Sequence, residues 1–276
     1  MEIWHCPTCR RQNVSAFCPS CGEILPDIRK LELGAILRHI FHGISSLDGP
    51  LFTSAVMLIR HPGQLTLAFL QGRHKPFTGP FRLFLFANML FFAMQSFTQI
   101  EIFGESLSDH MTAQDWSPVA RALVSSHSAG DLRTPGEFAA DFDKAAVLKA
   151  KSLIVLMVLP FATVLSFIFL RAHRPFGLHL VFALHFYSFL MLIFCGLLAI
   201  ASIDKAIGGG GISTLDKPLF GLTLMFTTAY LLISTGVVYE IAGIKRLISV
   251  VALTCTVGVM ISGYRFAIFL ITLYTA

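Results

Sequence analysis

Residues 178–203 read LHLVFALHFYSFLMLIFCGLLAIASI, and no Asp, Glu, Lys or Arg interrupts them. A helix rises about 1.5 Å per residue and the hydrocarbon layer is about 30 Å thick, so about twenty apolar residues cross it. This stretch is long enough with turns to spare. Working outward, comparable runs occupy 147–170, 218–241 and 247–274, and a shorter one at 81–98 carries Arg82, Asn88 and Gln95. Composition agrees: 55% of the 276 residues are hydrophobic and 13% charged, with a mean hydropathy of +0.71, against about a quarter charged in soluble domains. The expected fold is an all-α polytopic membrane protein with five transmembrane helices in residues 80–276.

An odd number of spans puts the two termini on opposite sides. Lys and Arg crowd one side: Arg10, Arg11, Arg29, Lys30, Arg38, Arg60, Arg73, Lys75, Arg82, Arg171, Arg174, Lys245 and Arg246 all fall on the side of the N-terminus. The opposite side dilutes its cations with Glu101, Glu105, Asp109, Asp115, Glu137, Asp141 and Asp143. The positive-inside bias therefore predicts a cytoplasmic N-terminus and Ala276 outside. No secretory signal is read at the N-terminus, where a polar Cys-rich segment stands in place of a basic stretch and an apolar core. A pI near 9.0 follows from the same bias and does not call for nucleic acid as a partner.

Residues 5–23 read HCPTCRRQNVSAFCPSCGE, in which Cys6, Cys9, Cys18 and Cys21 form two Cys-x-x-Cys pairs. Each pair lets two thiolates bite one ion from a tight turn, so a structural Zn2+ is the expected cofactor, with Gly22 free to take the positive φ of such a knuckle. Disulfides fit poorly with a reducing compartment, and a redox Cys-x-x-Cys normally occurs once, at a strand-to-helix junction. Residues 1–25 are too few to bury a core, so this zinc ribbon is expected to fold only with metal bound.

Between ribbon and first span, residues 27–79 are too polar to cross the bilayer and too apolar to float free. Leu31, Leu33, Ile36, Leu37, Ile40, Phe41 and Ile44 recur at helical spacing, and further pieces at Leu51–Ile59 and Gly63–Leu70 stop before Pro62 and at Gly72. They read as interfacial amphipathic helices meeting anionic membrane lipid, or as helices packed on the cytoplasmic ends of the spans. The connection at 99–143, rich in Gly, Ser, Asp and Pro, is expected to be an extracytoplasmic loop holding one short helix. Its His110 and His127 lack metal-ligand spacing, and Gly208–Gly211 reads as a linker rather than a phosphate loop.

Polar residues enter the spans unevenly. Arg82 and Asn88 in span one, His179 and His185 in span three, and Tyr239 and Glu240 closing span four all lie toward the inner leaflet, beside His173 and Arg174 in the preceding turn. Ionisable groups at such depth mark a candidate inner-leaflet polar site, or else snorkelling and interfacial side chains. His179 and His185 are six residues apart, about 240° around the helix, so they cannot chelate one ion, and no second buried His argues for haem. Interhelical hydrogen bonds suit them better, with Asn88, Tyr187, Ser188 or Glu240 as expected partners. Pro160 removes a backbone hydrogen bond from span two and should bend it, leaving room for a cavity.

The runs RHPGQLTLAFLQGRHKPFTGPFRLFLFANMLFF (60–92) and VLPFATVLSFIFLRAHRPFGLHLVFALHFYSF (158–189) resemble a family of uncharacterised bacterial inner-membrane proteins with an N-terminal zinc ribbon. The resemblance implies weight on Pro62, Gly63, Gly72, Arg73, Pro80, His179 and His185, with Leu178 standing where the family carries Glu. It implies architecture and no activity. The sequence shows no recognisable nucleophile, Walker loop or catalytic metal triad. It is read as an accessory or scaffold protein whose ribbon binds a protein partner and whose helices pack with a larger membrane complex. The competing reading is a transporter or membrane enzyme handling a lipid, quinone or proton-coupled solute through an inner-leaflet polar cavity.

Overall fold

A computed structural model describes residues 3–15, 17–21, 23, 49–100, 102–128, 134–209 and 212–275, the side chains of 212–218 excepted. The expected helix at Leu31–Ile44, the φ of Gly22 and the position of Ala276 lie outside the described residues. Strands β1 (Trp4–His5) and β2 (Gln12–Asn13) pair antiparallel, and α1 (Pro50–Arg60), α2 (Gln64–Leu70) and α3 (Pro80–Thr98) follow. Then come α4 (Leu107–Thr112), α5 (Ser117–Ser128), α6 (Pro135–Leu153), α7 (Val158–Ile168), α8 (Phe176–Ala206), α9 (Ile212–Tyr239) and α10 (Gly243–Leu273). Five helical stretches are long and apolar enough to cross a membrane: α3, α6 with α7, α8, the Leu219–Tyr239 part of α9, and α10. The molecule is an all-α polytopic membrane fold behind an N-terminal four-cysteine cluster.

A 3-10 turn at Ile154–Met157 separates α6 from α7. Pro160 explains it: the residue has no N–H to give to the carbonyl four positions back, so the ladder tightens just before it.

The chain divides into two compact units. In the first, residues 1–91 and 158–254, α8 is the hub. Val181, Phe182, Ala183, Phe186, Tyr187, Leu190 and Met191 are all buried, although they point in every direction around the helix. Such a helix must be enclosed, and α7, α9, α1 and α2 pack on it. Phe161 of α7 stacks on Phe186 with centroids 4.8 Å apart, and Phe189 stacks on Tyr230 of α9 at 4.1 Å. The short helix α2 buries Leu65, Thr66 and Ala68 against α8 and α9. Its entry demands glycine: Gly63 has φ 85°, and a Cβ there would lie 2.9 Å from the Ser234 Cα.

In the second unit, residues 92–157 and 255–276, the stretch expected to be mostly loop carries more helix than that. Two helices, α4 and α5, lie within 99–143, and α6 already starts at Pro135 rather than near 147. Two capping boxes account for this. Ser106 accepts from the Asp109 N–H while the Asp109 carboxylate accepts from Ser106, and Thr134 and Glu137 repeat the arrangement at the start of α6. Phe138, Phe142, Ala146 and Ala150 then form the buried stripe of α6. The Leu107 N–H donates to Asp143 Oδ1 at 2.7 Å, and the Tyr264 hydroxyl donates to the Ala150 carbonyl at 2.6 Å.

Arg265 of α10 pairs with Glu105 at 3.0 Å and donates to the Ile102 carbonyl at 2.9 Å, while Gln114 donates to the other Glu105 oxygen at 2.8 Å. Burial raises the Glu105 carboxyl against the pull of Arg265. His110 is 1% exposed, ringed by Trp116, Phe142 and Phe269, and accepts from the Trp116 indole N–H at 3.3 Å. Burial pushes its imidazole down to about 4, Asp109 partly offsetting this and Arg265 adding to it.

Two outcomes follow for stability in detergent. An unfolded His titrates near 6.5, so acidification protonates the unfolded chain first, and His110 withdraws up to about 3 kcal/mol between about pH 6.5 and 4, with no further loss below. Glu105 acts in the opposite sense, because its raised carboxyl takes up a proton more readily in the folded state. Thermal unfolding from pH 7 to 4 should therefore fall less steeply in His110→Asn than in the wild type. Gly63→Ala should cost on the order of 2–3 kcal/mol from its left-handed backbone and the approach of Ser234, read as a lowered melting temperature.

Candidate functional site

The β1–β2 hairpin brings the two Cys-x-x-Cys turns face to face. Its register pairs Trp4 with Asn13 and His5 with Gln12, and the Trp4 indole N–H donates to the Ser15 carbonyl at 2.8 Å. In the first turn the Arg10 N–H donates to the Cys6 carbonyl at 2.8 Å, and the Cys6 N–H donates to Arg11 at 2.9 Å. In the second the Cys18 N–H donates to the Glu23 carbonyl at 2.6 Å. The positive φ of the first knuckle falls on Arg10, at 61°.

The four sulfurs lie within 4.8 Å of one another, with Cys6 to Cys21 at 3.5 Å and Cys9 to Cys18 at 3.4 Å. These separations exceed a disulfide bond of about 2.05 Å and approach the ~3.8 Å edge of a tetrahedron with metal–sulfur bonds of about 2.3 Å. The close pairs join one knuckle to the other, so the set encloses a single point. Burial opposes ionisation at Cys18, but the backbone N–H groups of Cys21 and Ser20 outweigh it and bring that thiol down to about 6. At Cys21 the Glu23 N–H favours the thiolate, yet burial and the sulfurs of Cys6, Cys18 and Cys9 outweigh it and push the thiol up to about 12. Four sulfurs this close do not ionise together without a cation between them. The donor set fits a metal ion such as zinc. Among the described residues, Trp4 is the one apolar side chain of its buried cluster apart from the cysteines.

In the spans, the polar residues form separate pairs. His179 Nδ1 and the Tyr239 hydroxyl lie 2.8 Å apart, and Tyr239 stacks on Phe169 with centroids 3.8 Å apart. Glu240, the next residue, has φ 56° and accepts from Arg174 at 3.1 Å, a pair whose side chains are 76% and 40% exposed. His185 Nδ1 lies 2.8 Å from the Thr66 hydroxyl of α2. Asn88 donates to the Phe84 carbonyl of its own helix at 2.8 Å, and among the described residues no hydrogen bond or ion pair links Arg82 to the others. Neither histidine takes a partner from Asn88, Tyr187, Ser188 or Glu240.

The juxtamembrane positions carry backbone geometry. Gly72, with φ 73°, ends α2, and Arg73 N–H returns to the Ala68 carbonyl at 2.9 Å. Arg73 donates to Gln71 Oε1 at 2.8 Å, and Pro80 opens α3. Sequence reasoning missed Glu23, which is 2% exposed and accepts from Thr8, His74 and Lys75. Nothing local marks it, since its partners lie 51 and 52 residues away.

Tyr239→Phe keeps the stacked ring and removes only the hydroxyl. It should cost on the order of 1 kcal/mol in detergent unfolding. Combined with His179→Phe it should add less than the sum of the two, because both break one bond.

Residues 48–92 match a family described as a protein of unknown function (DUF3667), a segment that runs from the start of α1 into α3 and contains Pro62, Gly63, Gly72, Arg73 and Pro80. No curated protein and no solved structure matches the chain.

Proposed function

We propose that this is an accessory or scaffold protein of a bacterial inner membrane, with its N-terminus in the cytoplasm, whose zinc-loaded ribbon binds a protein partner. Its helices pack with a larger membrane complex. The observation that carries the reading is the outer surface of the ribbon: Ile3 is 68% exposed, Val14 58% and Phe17 58%. Ile3 and Val14 flank the paired residues Trp4 and Asn13, just beyond the ends of the two strands. A domain this small that keeps bulky apolar side chains outside, and relies on metal for its fold, presents a rigid apolar patch. Such a patch in a chain without recognisable catalytic machinery suits docking.

The competing reading, a lipid-, quinone- or proton-handling site, draws support from the pairing of buried His179 and Tyr239 beside the exposed Arg174–Glu240 pair. It is weakened by His185, Asn88 and Arg82 bonding elsewhere or not joining that cluster.

Gentle purification followed by metal analysis and identification of co-purifying polypeptides tests the proposal. About one equivalent of zinc is expected per chain, lost on Cys18→Ser. The triple change Ile3→Ser, Val14→Ser, Phe17→Ser should retain zinc and lose the partner. If the triple variant keeps the same companions as the wild type, the ribbon is not the docking element; reporter fusions to both ends, expected to report opposite compartments, test the topology.

A further inference from the structure

Glu23 follows the last cysteine of the ribbon by two residues, and its carboxylate is buried against a segment far along the chain. One oxygen, Oε2, accepts the Thr8 hydroxyl at 2.7 Å and the backbone N–H groups of His74 and Lys75 at 3.1 Å each. Thr8 also donates toward the Lys75 carbonyl, at 3.4 Å. Two consecutive N–H groups aimed at one anionic oxygen form a backbone anion nest. The nest lies in the stretch between Gly72, which ends α2 with φ 73°, and Pro80, which opens α3.

The carboxylate reaches this nest because both knuckles position it. Thr8 stands between Cys6 and Cys9 in the first, and the Glu23 carbonyl closes the second by accepting the Cys18 N–H at 2.6 Å. The two knuckles meet through their sulfurs, Cys6 facing Cys21 and Cys9 facing Cys18. Thr8 donating to Glu23 and Arg11 donating to Ser20 at 2.8 Å also join the knuckles, and an ion among the four sulfurs would lock that arrangement.

We propose that the turn at 73–75 is a carboxylate-binding site whose ligand is Glu23, presented by the metal-loaded ribbon, so that metal occupancy controls the segment that leads into the first span. The metal dependence rests on the reading of the cysteine cluster as a metal centre; the carboxylate site does not. Removing the ion releases Glu23, exposes the His74 and Lys75 amides and frees the ribbon from the juxtamembrane turn.

Hydrogen–deuterium exchange on the full-length protein in detergent, with zinc measured on the same samples, decides the matter. In zinc-loaded wild type the amides of His74 and Lys75 should be protected. Glu23→Ala should keep its zinc and speed exchange at these two amides at least tenfold, leaving peptides of α8 unchanged. Chelation should do the same to the wild type and add nothing to Glu23→Ala. Should Glu23→Ala fail to fold, Thr8→Val, which removes one of the three bonds, should give a smaller increase at the same amides. Wild-type protection in a zinc-replete Glu23→Ala protein overturns the carboxylate site. Protection that survives complete chelation of the wild type overturns its metal control. A preparation that binds no metal overturns the metal reading alone, because the Glu23→Ala comparison still reports on the carboxylate.

Discussion

Within hydrocarbon, every backbone polar group must find its partner inside the protein, and the same pressure on side chains orders the membrane part of the chain. Small hydroxyls meet it locally: Thr163, Ser188, Ser202, Thr223 and Thr235 each donate to the carbonyl four residues back on their own helix. Such bonds stabilise no particular neighbour. The two imidazoles of α8 take partners from other elements, His179 at Tyr239 of α9 and His185 at Thr66 of α2. The two bonds therefore set the rotation of α8 within its unit, which its apolar surface, buried all round, cannot do by itself.

The same constraint explains the shape of the segment that matches the family of unknown function. Helix α2 is only seven residues long, too short to be stable alone, and it persists because Leu65 and Ala68 are buried and Thr66 meets His185. For that packing the chain must enter over the Ser234 backbone, where Gly63 fits and a larger residue collides, and must leave through the left-handed Gly72. The nest at His74 and Lys75 is the next turn of the chain. The ribbon carboxylate thus closes onto a backbone whose path α8 and α9 have already fixed.

What was legible in the sequence depended on range. The five apolar runs declare themselves by length, and the cysteine spacing by its own chemistry, because both signals are complete within a few dozen residues. Pro160 pointed to a bend in span two, and the structure has a 3-10 turn at Ile154–Met157 just ahead of it. The helices within 99–143 were also written locally, in Ser106-x-x-Asp109 and Thr134-x-x-Glu137, but Gly, Ser and Pro content masked the caps. The partners of the histidines were not legible. Thr66 stands 119 residues from His185 and Tyr239 stands 60 from His179, and the position of a hydroxyl in sequence does not tell which helix it will face. Glu23 was hidden for the same reason, with the added one that an acidic residue after a cysteine knuckle reads as ordinary solvated surface.

The distribution of charge bears on which of the two functional readings is stronger. A working site needs a path from solvent to a buried polar group. Tyr239 offers one step of it, since the next residue, Glu240, forms an exposed ion pair with Arg174 while Tyr239 itself is 4% exposed. His185 offers none: among the described residues its Nε2 has no hydrogen-bond partner, and the residue is 1% exposed. An orphaned buried nitrogen costs on the order of 1–3 kcal/mol, and the gain set against it is the bond to Thr66 that seats α2. The cysteine cluster differs in kind, because its four sulfurs surround one point and fit a metal ion, and because Glu23 ties the ribbon to the turn at His74 and Lys75 that precedes the first span. On the proposed reading, the ribbon is the part of the molecule placed to pass on a change of state, through Glu23 to the turn at His74 and Lys75.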